Sequence, residues 1–135
     1  MKLRGEVTSG LGKGDQFMSL SGYVEQFEAR LGYTPYPGTL NVALDETSTA
    51  RRSELDESVA IAIDEWNDGD RTYGAAICYP AQLRTADETT YSGAHVLVPV
   101  RTEHDSTQLE IVAADRLRAA LDIEFGEVIQ IHVRQ

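Results

Sequence analysis

Short runs of alternating apolar and polar residues dominate the chain. In 128–133, Ile129, Ile131 and Val133 fall on one side and Gln130 and His132 on the other, the period of two that a half-buried strand requires. Residues 39–44, TLNVAL, show the same alternation, with Leu40 and Val42 on the core side and Thr39 and Asn41 facing away. Residues 3–8, 59–64, 73–79, 95–100 and 109–113 supply the remaining predicted strands. Two segments instead carry helical spacing. In 21–31, Tyr23, Phe27 and Leu31 recur at i, i+4 and i+8, with Ser21 as the expected N-cap and Gly32 as the stop. In 115–121, Leu117 and Leu121 share a face and Asp115 near the start suits the helix dipole. Residues 45–58 and 84–92 are polar without periodicity and are expected to be loops. Many short strands with one or two short helices, and no regular βα alternation, predict a mainly β fold, a small antiparallel barrel.

Composition narrows the class. The 135 residues make one domain, and a hydrophobic content of 41% is enough for a core. The 22 acidic against 12 basic residues give a formal net charge of −10, which argues against nucleic acid and anionic lipid as partners. Lys2 and Lys13 are the only lysines, and an acidic, lysine-poor surface suits a salty cytoplasm that screens self-repulsion. Cys78 is the single cysteine, which excludes an internal disulfide and a cysteine-based zinc cluster. It is expected to act as a buried small hydrophobe. No apolar run approaches the roughly 20 residues of a membrane helix, and 1–10 lack the apolar stretch of a signal peptide. The expectation is a soluble, cytoplasmic protein.

Three segments could carry chemistry. Gly10, Leu11, Gly12, Lys13, Gly14 and Asp15 place three glycines at alternate positions. Such a stretch is either a hairpin turn or an anion-binding concavity of converging N–H groups. It is neither a Walker motif nor a dinucleotide fingerprint. In 31–42, LGYTPYPGTLNV, Pro35 and Pro37 hold the chain extended before Gly38 releases it into the strand. Thr39 and Asn41 then present a hydroxyl and an amide oxygen side by side. They are either the polar outer face of a strand or a weak Mg²⁺ site completed by water and substrate phosphates. The third segment runs from Arg101, Thr102 and His104 to Glu110 and then Asp115, Arg116, Leu117 and Arg118. Glu110, between Leu109 and Ile111, should face away from the core. A helix start at 115–118 favours anions, although arginines spaced two apart also serve simply to solvate a helix. His104 is a possible acid/base group or an ordinary surface histidine.

The combination of SGLGKG at 9–14, LGYTPYPGTLNV at 31–42, GAAICYPA at 74–81, PVRTEH at 99–104 and LEIVAADRLRAAL at 109–121 resembles the archaeal CTP-dependent riboflavin kinase family. The resemblance implies a six-stranded cradle-loop β-barrel and one riboflavin kinase domain over 1–135, without the N-terminal helix-turn-helix domain that some members carry. It also implies transfer of the γ-phosphate of CTP to the 5′-hydroxyl of riboflavin, giving FMN and CDP. Gly10–Asp15 and Asp115–Arg118 would then hold the cytidine nucleotide, Thr39 and Asn41 would ligate Mg²⁺, and Thr102 and Glu110 would contact the flavin. Glu110 is the carboxylate best placed to orient or deprotonate the ribityl hydroxyl. Two other classes compete: a non-catalytic barrel that senses a flavin or nucleotide, and a swapped-hairpin barrel that binds DNA. The net charge of −10 weighs against the last.

Overall fold

The computed structural model describes residues 1–9, 20–100 and 107–134. Among the described residues nine strands form, in chain order: β1 Lys2–Thr8, β2 Leu40–Leu44, β3 Ile61–Ile63, β4 Trp66–Asp68, β5 Arg71–Tyr73, β6 Ala76–Thr85, β7 Thr90–Pro99, β8 Gln108–Val112 and β9 Val128–Val133. The helices of the described residues are α1 Ser21–Arg30, α2 Glu46–Arg52 and α3 Leu117–Ala120, with a 3₁₀ turn at Glu57–Val59.

Six strands close on themselves in the order β6-β7-β8-β2-β1-β9 and back to β6, every pair antiparallel. Closure removes the exposed edges of a flat sheet. The ten-residue β6 makes closure possible by serving two partners. Its first half also pairs β3, with Ile61 opposite Cys78, and its second half pairs β9, with Ala81 opposite Val133. An irregularity between Ala81 and Leu83 marks the crossover, where a bulge bends the strand. The fold is therefore the small, mainly β barrel that the alternation predicts.

The alternation also sorts the two faces. Leu40, Val42, Leu83, Val96, Leu109, Ile111, Ile129 and Ile131 fill the barrel interior. A second, smaller apolar cluster lies outside the barrel wall, where Phe27 of α1 packs over Ile63, Ala76, Cys78 and Val112. Burying an aliphatic or aromatic side chain of this kind contributes about 1.5–3 kcal/mol. Cys78 is fully buried and its thiol is pushed up to about 12 by desolvation, so it behaves as the small hydrophobe expected.

Several boundaries differ from the sequence expectations. Residue 20, not Ser21, occupies the N-cap of α1, in extended geometry and without a side-chain hydrogen bond. Polar side chains dock the helix instead. Gln26 Nε2 donates to the Asp64 carbonyl and Arg30 Nη2 lies 2.6 Å from Asp64 Oδ2. Gly32 does stop the helix, at φ +84°. The predicted loop 45–58 contains α2, capped by Asp45, whose Oδ1 accepts from Ser48 N at 2.7 Å. Its inner face is polar: Ser48 Oγ accepts from Arg4 N at 2.8 Å, and buried Arg52 donates to the Gln108 carbonyl. Residues 73–79 are not one strand. Tyr73 ends a small hairpin, β4–β5, that turns at Gly69 (φ +61°), and β6 begins at Ala76. The predicted loop 84–92 is the tip of the β6–β7 hairpin. The expected helix 115–121 is a single turn, Leu117–Ala120.

Candidate functional site

Strand parity brings the first candidate group together. In the register of the barrel, Thr8 of β1 lies opposite Asn41 of β2, and Asn41 lies opposite Glu110 of β8. All three share the outer face, because their neighbours Val7, Leu40, Val42, Leu109 and Ile111 are buried in the interior. Thr39, just before β2, donates its hydroxyl to Glu110 Oε1 at 3.3 Å. Asn41 Nδ2 donates to the Thr39 carbonyl at 3.4 Å, which leaves the amide oxygen as the atom an incoming cation would meet. The Thr8 hydroxyl oxygen is buried and has no hydrogen-bond partner among the described residues. Such a group costs about 1–3 kcal/mol unless something at the site satisfies it.

The second group meets the first across a cavity of about 220 Å³. Thr39, Asp115, Arg116 and Arg118 line it together with the apolar Leu40, Ile111 and Leu117. Leu117 belongs to the core as well, at 5% exposure. The backbone turns here because Arg116 caps the single turn of α3, its carbonyl accepting from Ala120 N at 2.9 Å. A four-residue helix brings little macrodipole, so an anion drawn here would have to be drawn by the two guanidiniums rather than by a helix start. Two arginines face one carboxylate in this lining, in a chain whose net charge is −10. That carboxylate is engaged: Tyr91 of β7 donates its hydroxyl to Asp115 Oδ2 at 2.8 Å. Burial and the Asp115 charge raise the Tyr91 phenol above its ordinary range, which keeps it a donor. Arg118 stacks over the Phe125 ring at 4.0 Å and reaches Glu124 at 3.4 Å, while its Nε is buried without a partner.

Gly10, Leu11, Gly12, Lys13, Gly14, Asp15, Arg101, Thr102 and His104 lie outside the described residues. Among the described residues, no three His, Cys, Asp or Glu side chains converge as a metal cluster. None of their helices is long and apolar enough to cross a membrane. Three contributors were not singled out from the sequence. Tyr36 lines the cavity, Tyr91 holds Asp115, and Thr8 extends the row of Asn41 and Glu110. Thr8 could have been found by parity with the apolar Leu3 and Val7, whereas Tyr91 reveals itself only through the β6–β7 pairing.

A family model named CTP-dep_RFKase, described as "Domain of unknown function DUF120", matches residues 7–133. A riboflavin kinase of Haloquadratum walsbyi is 48% identical over 134 residues, 99% of this chain and 57% of that protein. One from Halobacterium salinarum is 45% identical over 133 residues, covering 98% of this chain and 57% of the relative. One from Methanosarcina acetivorans is 41% identical over 135 residues, all of this chain and 54% of the relative. The chain thus spans little more than half the length of these relatives.

Proposed function

The chain belongs to the CTP-dependent riboflavin kinase family, and from that premise we propose that it phosphorylates riboflavin at the 5′-hydroxyl with CTP as donor, giving FMN and CDP. The observation that carries the reading is the shared cavity. Thr39, bonded to Glu110, lines the same cavity as the Asp115–Arg118 turn. A phosphoryl transfer site needs this juxtaposition, because its catalysis is chiefly positioning and charge neutralisation.

In this reading Arg116 and Arg118 attract the nucleotide into an otherwise acidic molecule, and Asp115 is held back from the phosphates by Tyr91. Thr39 and Asn41 hold Mg²⁺. A hydroxyl and an amide oxygen suit a hard cation, and the buried, unpartnered Thr8 oxygen beside them adds to an oxygen-rich pocket. Bound there, Mg²⁺ would supply positive charge that offsets that of the phosphates. By the family resemblance, Gly10–Asp15 complete the nucleotide site and Thr102 joins Glu110 on the flavin. Glu110 orients the ribityl hydroxyl. As its oxygen bonds to the γ-phosphorus and the bond to the β–γ bridging oxygen breaks, the hydroxyl proton passes to the Glu110 carboxylate.

Purified protein incubated with riboflavin, Mg²⁺ and either CTP or ATP tests this. FMN should form, faster with CTP. No FMN with any nucleoside triphosphate, alongside intact flavin binding, would favour a sensing module instead.

A further inference from the structure

Four large apolar side chains are exposed among the described residues: Tyr36, Val59, Val100 and Phe125. Only Tyr36 lines the cavity. Phe125 is already covered on one face by the Arg118 guanidinium. Tyr36 is 38% exposed, yet its backbone is firmly held. Its N–H donates to the Ala113 carbonyl at 2.8 Å, and its own carbonyl accepts from Gly38 N at 2.7 Å. Pro35 and Pro37 on either side restrict the loop further. An exposed aromatic ring on a firmly held backbone offers a ligand large contact area at small entropic cost.

The size of the cavity indicates which ring it would meet. At about 220 Å³ it is smaller than the roughly 300–1,000 Å³ of pockets that enclose a whole drug-sized ligand. It suits a single compact ring better than a fused three-ring flavin, with the rest of the molecule extending out of it. The lining agrees, since Arg116 and Arg118 bring positive charge to it, which suits anionic groups on the same molecule.

We propose that Tyr36 is the stacking wall for the nucleobase of the donor nucleotide. The inference rests on the kinase reading above and deepens it. Stacking on an aromatic face is tolerant of base identity. Tyr36 therefore supplies affinity for any nucleotide and does not discriminate cytosine from adenine.

Calorimetric binding of CDP and of ADP, and fluorescence titration of FMN, distinguish the possibilities with the full chain and its Tyr36→Phe, Tyr36→Leu and Tyr36→Ala variants. Tyr36→Ala should weaken both nucleotides by about 5- to 100-fold. Tyr36→Leu should lose nearly as much and Tyr36→Phe less than threefold, with FMN affinity unchanged throughout. Unchanged CDP affinity in Tyr36→Ala would overturn the proposal while leaving the kinase reading intact. Loss of FMN affinity alone would overturn it by assigning the ring to the flavin. A wild-type chain that binds no nucleotide at all would overturn both.

Discussion

Two residues on the same outer face of β8 meet opposite surroundings. Val112 is fully buried beneath α1, in the cluster of Phe27, Ile63 and Cys78. Glu110, two positions earlier, lies beside Asn41 and accepts from Thr39. The strand backbone is the same, and the difference is what covers it. Where α1 lies on the barrel wall, the outer face must be apolar, because a buried carboxylate without a partner would cost several kcal/mol. Where α1 does not reach, the outer face can carry hydroxyl, amide and carboxylate groups in register. The barrel thus supplies a rigid wall whose uncovered part positions polar groups without asking them to stabilise the core.

Substitutions can break this division of labour. The largest stability effect belongs to the covered side. Phe27→Ala should cost about 3–5 kcal/mol in chemical denaturation, because the cavity under α1 cannot refill. A loss below 1 kcal/mol would show that α1 is not a structural cover. On the uncovered side, Glu110→Gln should change stability by less than about 1 kcal/mol and lower the turnover number for FMN formation by about 10²-fold or more. A fall under threefold would reduce Glu110 to a contact residue.

The boundary between the two sides gives the smallest effect. His95 of β7 lies opposite Val112, is 7% exposed, and shares a hydrogen bond of 2.9 Å between its Nδ1 and the Tyr33 hydroxyl. Burial lowers its pKa from the ordinary 6.5. The unfolded chain therefore takes up the proton first as the pH falls. The stability contributed by neutral His95 is complete above pH 6.5 and is lost from there downward toward its folded-state pKa. Melting temperature should decline between pH 7 and pH 5, and less steeply in His95→Asn. Parallel profiles for the two proteins would show that His95 is as hydrated as an open surface residue.

How much of this could be read beforehand depended on where the information lies. The apolar alternation of 128–133, 39–44 and 109–111 reports burial directly, so β9, β2 and β8 were legible, and with them the outward placement of Thr39, Asn41 and Glu110. Helix α2 was not legible, because the periodicity test counts apolar residues and the buried face of α2 carries Ser48 and Arg52. The outer positions of β6 and β7 that pass through Arg84, Thr90 and Ser92 are polar and solvent-facing, so the hairpin looked like a loop. The chemistry of Asp115–Arg118 was visible in its residue types. Its meeting with Thr39 was not, since only the closed order of strands brings segments so far apart in sequence to one cavity.

The central claim is that the uncovered outer face is where the cation and the phosphates meet. The Mg²⁺ dependence of FMN formation from riboflavin and CTP, compared between wild type and Asn41→Ala, tests it most directly. Asn41 is partly exposed and outside the core, so the variant should melt within a few degrees of wild type. The expected result is a half-saturating Mg²⁺ concentration raised by about tenfold or more, with partial recovery of rate at high Mg²⁺. Superimposable Mg²⁺ curves for the two proteins would contradict the claim.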